Sequence, residues 1–192
     1  MENEKQIQII NHSKSLFFKY GIKKVSVEEI SSLCGISKKT FYQEFKNKYV
    51  LAEAILDEFA SQDKVTFDKI NAEEISFKDK IIKLTEASIK RFELAEPIFF
   101  QDVMENCKEL KEYVSRRRKE DERDFFLFVS EEQRSGNLRS DIPASLISFL
   151  LKKNATDLIF DPEVEKVYPK FKKRVSVIVD CIVNGIDNGN SS

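Results

Sequence analysis

Only nine strong helix breakers, five glycines and four prolines, interrupt 192 residues, and tryptophan is absent. Strand-rich folds need turn residues every eight to twelve positions or so. So few breakers point to long helices joined by few turns, an all-α chain. Hydrophobic residues at 41% supply enough apolar surface for a real core, arranged as one domain or two small ones. No apolar run approaches the roughly 18–20 residues of a membrane span. The charged opening, Met1 to Lys5, lacks the apolar stretch of a secretory signal. Cys34, Cys107 and Cys181 form no CxxC pair, which excludes a disulfide framework or zinc knuckle and fits the reducing cytoplasm. No metal or cofactor is expected. The one histidine, His12, is better read as a packing or surface residue than as a ligand. GxGxxG, P-loop, GxSxG and HExxH motifs are all missing, so nothing supports an enzyme. An enzyme built on carboxylates alone would need convergent acids in one cleft.

Charge divides the chain. Residues 1–50 hold nine lysines against five glutamates, net +4, while the remainder carries −5 and the whole −1. A small basic unit followed by a larger acidic one suggests that the first third meets a polyanion, although +4 is modest.

Apolar positions Ile7, Ile10, Leu16, Phe17 and Tyr20 predict a helix over 4–20, stopped by Gly21. Ser26-Val-Glu-Glu29 reads as a capping box opening a short helix, 27–33. Cys34-Gly35-Ile36 is a tight turn, Ser37 caps a second short helix to Phe45, and Asn47 caps a longer one, 48–70. Ser76 opens another helix, and Pro97 a short one through Met104. A long helix is expected over 107–135, ending at Gly136. Its run Arg116–Asp124 pairs as Arg116–Glu120, Arg117–Asp121 and Arg118–Glu122, a solvated face rather than a nucleic-acid site. Asp141 is expected to cap a helix near 142–160, Asp161-Pro162 opens the last segment, and Pro169 breaks it. The apolar residues of 170–186 cover more than one side of a helix, which calls for both a core and a second subunit. The Asn/Gly/Ser-rich tail, 187–192, is expected to be disordered.

Two short helices around a glycine turn form a helix-turn-helix pattern. Ser37 leaves amides of the second helix facing out beside Lys38 and Lys39, suited to phosphates and groove edges. Gln43 can pair bidentately with adenine, and Tyr42 can reach a phosphate or a thymine methyl. The order Val25-Ser26-Val27, Ile30, then Gly35-Ile-Ser-Lys-Lys-Thr-Phe-Tyr-Gln-Glu-Phe-Lys-Asn-Lys48 resembles the DNA-binding domain of TetR-family transcriptional regulators. The resemblance covers residues 5 to about 60. Beyond that it is one of length and helical pattern only.

The resemblance implies a helix-turn-helix domain over 1–50, continuing into a connecting helix 48–70. It also implies a helical-bundle effector and dimerisation domain over 51–186. Ser37, Lys38, Lys39, Thr40, Tyr42, Gln43 and Lys48 are the expected DNA contacts, with Thr40, Tyr42 and Lys48 at positions that commonly touch DNA in the family. Lys39 stands where many members have Gly. Glu44 stands where a neutral residue is frequent and is left out of the contacts. Cys34 is read as a small buried turn residue before a redox switch. Phe92, Phe99, Phe100, Met104 and Phe125 are the candidate effector pocket, with plain core packing as the alternative for most of the phenylalanines. Leu146, Leu150, Phe171, Val175, Ile178 and Ile182 are the candidate dimer interface. The expected function is a ligand-responsive homodimeric repressor of a palindromic double-stranded DNA operator, with a small-molecule effector and no membrane partner. A helical binding protein that has lost DNA contact is the competing class.

Overall fold

The computed structural model describes residues 4–154 and 161–184. Among them the chain is helical: α1 (Glu4–Tyr20), α2 (Val27–Leu33), α3 (Lys38–Glu44), α4 (Lys48–Asn71), α5 (Phe77–Phe92), α6 (Pro97–Gln101), α7 (Lys111–Arg134), α8 (Ala144–Phe149), α9 (Pro162–Val167) and α10 (Phe171–Val183). Expected stops and starts are present where short-range chemistry specifies them. Gly21, Gly35 and Gly136 hold the positive φ their turns require. Ser26 and Glu29 satisfy both halves of the capping box. The Asn47 carboxamide accepts from the amides of Tyr49 (2.9 Å) and Val50 (3.0 Å) at the start of α4. Ser76 and Asp161 cap α5 and α9, and Pro169 lies between α9 and α10.

Three boundaries differ from expectation. α6 does not continue regularly through Met104: Asp102–Asn106 is a π turn closed by the Cys107 amide on the Asp102 carbonyl at 3.0 Å. Cys107 is extended, so a 3₁₀ turn (Lys108–Leu110) precedes α7, which begins at Lys111 rather than 107. Asp141 caps nothing at α8. Its carboxylate is held by the Arg139 guanidinium at 2.6 and 2.9 Å, and Pro143 stands at the helix entrance. α8 then becomes a π segment, Leu150–Asn154; residues 155–160, like Ile186 and the tail, lie outside the described residues.

The chain divides into two compact units, Met1–Val65 with Ile89–Arg117, and Thr66–Ser88 with Arg118–Ser192. The first is built on Ile9, Ile10, Phe17, Ile22, Ile30, Phe41, Leu51, Ile55, Phe99 and Leu110, all buried. Each such side chain contributes about 2 kcal/mol by leaving water. The Tyr113 hydroxyl donates to Asp57 at 2.8 Å and joins α7 to α4 within this unit. The second unit buries Phe77, Ile81, Phe128, Val129, Leu138, Ile147, Val175, Val179 and Val183. Phe128 is ringed by Phe67, Phe77 and Phe125 at 5.4–5.8 Å. The Lys80 ammonium and Glu132 carboxylate form a buried pair at 2.8 Å, with Asn137 donating to the second carboxylate oxygen. The Arg116–Asp124 run is largely exposed: Arg116 covers the Tyr113 ring and Arg123 meets Asp124.

Candidate nucleic-acid interface

The seven residues of α3 form a helix because both ends are fixed. The Ser37 hydroxyl accepts from the Thr40 amide at 3.1 Å and shares a hydrogen bond with the Thr40 hydroxyl at 2.9 Å. Phe45 ends the helix in extended backbone. Phe41, fully buried, anchors α3 to the core, with Phe45 one turn on at 6.0 Å. Helical spacing then turns the opposite side outward in two rows, Lys38 with Tyr42 and Lys39 with Gln43, all four exposed. Ser37 and Thr40 flank that face with hydroxyls engaged in the cap, and Thr40 is half-buried.

The turn between α2 and α3 sets the crossing. Gly35 has φ +65° and nothing near where a side chain would start, so backbone conformation rather than space requires glycine. The Ile36 amide donates back to the Ser31 carbonyl at 2.9 Å. Cys34 is buried beneath this turn, and burial pushes its thiol pKa up, the reverse of a reactive thiolate. Across the turn, Lys38 of α3 forms an ion pair with Glu28 in the first turn of α2. The leading turns of both short helices therefore share one side of the domain.

Lys48 is placed differently from an outward contact. Its ammonium donates to the carbonyls of Lys23 and Val25, each at 2.7 Å, and clamps the α1–α2 loop to the start of α4. Desolvation there lowers its pKa. Two of its three N–H groups are used, leaving one for another acceptor. From the other side, the buried Asp102 carboxylate accepts from the Lys23 amide (2.8 Å) and the Asn106 side chain (2.9 Å). Sequence reading did not single out Asp102, the Glu28–Lys38 pair or the loop lysines. The Lys23-Lys24 doublet was visible as charge, but its setting is created by contacts distant in sequence.

The residues read as an effector pocket do not gather as one cluster. Phe99 is buried in the first unit against Phe18 (5.0 Å) and Phe100 (5.3 Å), and Met104, in the same unit, is exposed. Phe125 belongs to the second unit, where it meets Phe128. Of the residues read as a dimer face, Val175 and Ile178 are buried inside their own unit, Leu146 is exposed, and Leu150 and Ile182 are half-buried. The side chains of Phe92 and Phe171 lie outside the described residues.

The sequence pattern of the bacterial regulatory proteins of the tetR family matches residues 9–55, the segment that runs from α1 through α2 and α3 into α4. The chain carries the DNA-binding domain of the tetR family. An uncharacterized HTH-type transcriptional regulator of Bacillus subtilis, YerO, is 49% identical over 49 residues. That stretch is 26% of this chain and 17% of YerO, so the likeness to YerO is one of the DNA-binding domain alone. The likeness of fold extends further. The fatty acid degradation regulator FadR of Bacillus halodurans superposes with a TM-score of 0.74 over 95% of this chain and 96% of its own, at 14% identity. SmeT, the repressor of the Stenotrophomonas maltophilia multidrug efflux pump SmeDEF, gives 0.70 over 96% and 91%, also at 14% identity. The chain is thus a TetR-type, helix-turn-helix transcriptional regulator with an all-α fold along its length. Among the described residues no helix is long and apolar enough to cross a membrane.

Proposed function

We propose that this TetR-type regulator is a ligand-responsive repressor that acts as a cytoplasmic homodimer on a roughly palindromic operator. The observation that carries the reading is α3: an anchor at Phe41 behind, and Lys38, Lys39, Tyr42 and Gln43 exposed in front. A helix so presented fits the major groove of B-DNA, and two related by a twofold axis read two half-sites. Gln43 is assigned the base contact, Lys38 and Lys39 the phosphates and groove edges, and Tyr42 a phosphate or thymine methyl. Ser37 and Thr40 hold the leading turn in register. Lys48 fixes the loop and offers its remaining N–H to the backbone. Dimerisation is assigned to α8 and α10, where Leu146 and Phe149 are exposed.

Repression and a small-molecule effector are supported by fold likeness to SmeT, a repressor also solved as a complex with triclosan. The effector site is assigned to the helical part beyond α4, with Phe92, Phe99, Phe100, Met104 and Phe125 as its candidate lining. A ligand that binds better to a protomer geometry unable to span both half-sites lowers operator affinity by that difference in affinity.

The test is selection of binding sites from a random duplex pool, followed by titration of variants. Gln43→Ala is expected to relax preference at one base pair per half-site, losing about 1–3 kcal/mol of discrimination. Lys39→Ala is expected to weaken all duplexes alike and to flatten the salt dependence by about one unit. A chain that enriches no sequence and binds no duplex is not a DNA-binding repressor.

A further inference from the structure

Four residues beside the recognition helix form a cationic surface that none of the contacts assigned above uses. Lys19 and Tyr20 end α1, and Lys23 and Lys24 follow Gly21 in the loop to α2. All four are exposed. The ammoniums of Lys19 and Lys24 converge on the one Tyr20 ring, 5.1 and 5.7 Å from its centroid. Two like charges over one aromatic face repel each other unless an anion joins them. The nearest acid does not serve as that anion. Glu29 lies within the field of Lys24, but its carboxylate is bound to the amide and hydroxyl of Ser26, both at 2.8 Å.

The loop carrying these lysines is held from within. Lys48 binds the carbonyls of Lys23 and Val25, Asp102 binds the Lys23 amide, and Val25 is buried in the core. Backbone polar groups are thereby occupied inward while the Lys23 and Lys24 side chains remain in solvent. A charged pair on a braced loop loses less freedom on binding than one on a mobile tail. Continuity with α3 runs through α2: Lys24 stands two residues before the α2 cap, and Glu28 in its first turn pairs with Lys38 of α3. The lysine patch and the leading turn of α3 therefore border the same α2 turn.

We infer that Lys19, Tyr20, Lys23 and Lys24 form a second DNA-contacting surface, one that grips duplex backbone phosphates beside those met by α3. This inference rests on the reading of the chain as a DNA-binding repressor and extends the contact surface of that same domain. The ligand group is the phosphodiester, bound through ammoniums and the Tyr20 hydroxyl without base readout. The surface supplies affinity and register, not sequence preference.

The test uses the full chain, a duplex selected from a random pool, and a 30-base-pair duplex of scrambled sequence. The doubly substituted Lys23→Gln/Lys24→Gln chain keeps every backbone group that Lys48 and Asp102 bind. Two lost phosphate contacts flatten the slope of log affinity against log salt by about 1.8 and weaken both duplexes on the order of tenfold at low salt. The ratio of selected to scrambled affinity stays as in the unaltered chain. A charge-matched control, Lys90→Gln/Lys108→Gln, changes two exposed lysines elsewhere and leaves the slope nearly unchanged. An unaltered slope in the loop variant, or an equal change in the control, overturns the inference while leaving DNA binding intact. Failure of the unaltered chain to bind either duplex overturns the repressor reading and this inference together.

Discussion

At the scale of single residues, the exposed ion pair between Glu28 and Lys38 sets an acid beside the residue assigned to phosphate. In the free domain the glutamate holds the ammonium; on DNA the same ammonium must leave it, and the carboxylate then faces a polyanion. Exposed pairs of this kind are worth about 0.2–1 kcal/mol. Glu28→Gln is therefore expected to raise affinity for any duplex roughly two- to fivefold at low salt, an effect that fades as salt screens it. Fluorescence anisotropy on selected and scrambled duplexes reads this directly. Unchanged or weaker binding would show that Lys38 does not point at DNA. What a sequence reveals at this scale is uneven. Ser26, Ser37 and Asn47 were legible as caps because their partners lie two or three residues away. Lys48 was legible only as a charge, since the carbonyls that occupy it belong to residues 23 and 25.

At the scale of elements, the π turn after α6 stands against the α1–α2 loop. A methyl group on Gly21 would sit 2.6 Å from the Asp102 carboxylate oxygen and 3.0 Å from Ile98, at a φ of +80°. Gly21→Ala is expected to destabilise the chain by about 2 kcal/mol or more in urea unfolding. Asp102→Ala frees space but strands the Lys23 amide, a loss of about 1–3 kcal/mol. The double variant should lose less than the two added together, because one change removes the other's clash; strict additivity would refute the contact. Cys107 ends the same turn. Burial, reinforced by the charges of Asp102 and Glu109, pushes its thiol from an ordinary value near 9 to about 11. The folded chain thus keeps this proton longer than the unfolded one. Its contribution is intact below pH 9, declines from there to about pH 11, and is constant beyond. Tyr49 and Tyr113 are also raised by burial, so the comparison with Cys107→Ala isolates the thiol. The variant's melting temperature should fall less steeply across that window, and parallel curves would contradict the assignment. None of this turn was readable in advance. Pro97 announces a helix, but the bond that makes the turn π-helical, and the loop 79 residues away that Asp102 grips, leave no local signature. Asp141 misled for a related reason: an arginine two residues earlier competes for the carboxylate that would otherwise cap.

At the scale of the molecule, a twofold operator requires two α3 helices held at fixed spacing, so DNA affinity depends on the protomer–protomer joint. The breadth of the apolar surface on α10 was evident from its sequence, but which residues serve the chain's own core was not. Periodicity places Val175, Ile178 and Ile182 along a helix without saying which neighbour covers each. In the structure Val175 and Ile178 face their own unit. A charge at Ile178 would unfold that unit and report nothing about assembly. Leu146 and Phe149, three residues apart on α8 and each about half exposed (48% and 51%), are the better probes. Leu146→Glu and Phe149→Glu each place a charge on the proposed joint without entering the core. Each is expected to keep the thermal stability of the isolated protomer, to halve the mass measured by light scattering, and to reduce operator binding to that of single half-sites. Salt dependence should fall with it, since one protomer neutralises half as many phosphates. A variant that remains dimeric and binds the operator as before would move the joint off α8, while a monomer that still binds both half-sites tightly would remove the twofold requirement itself.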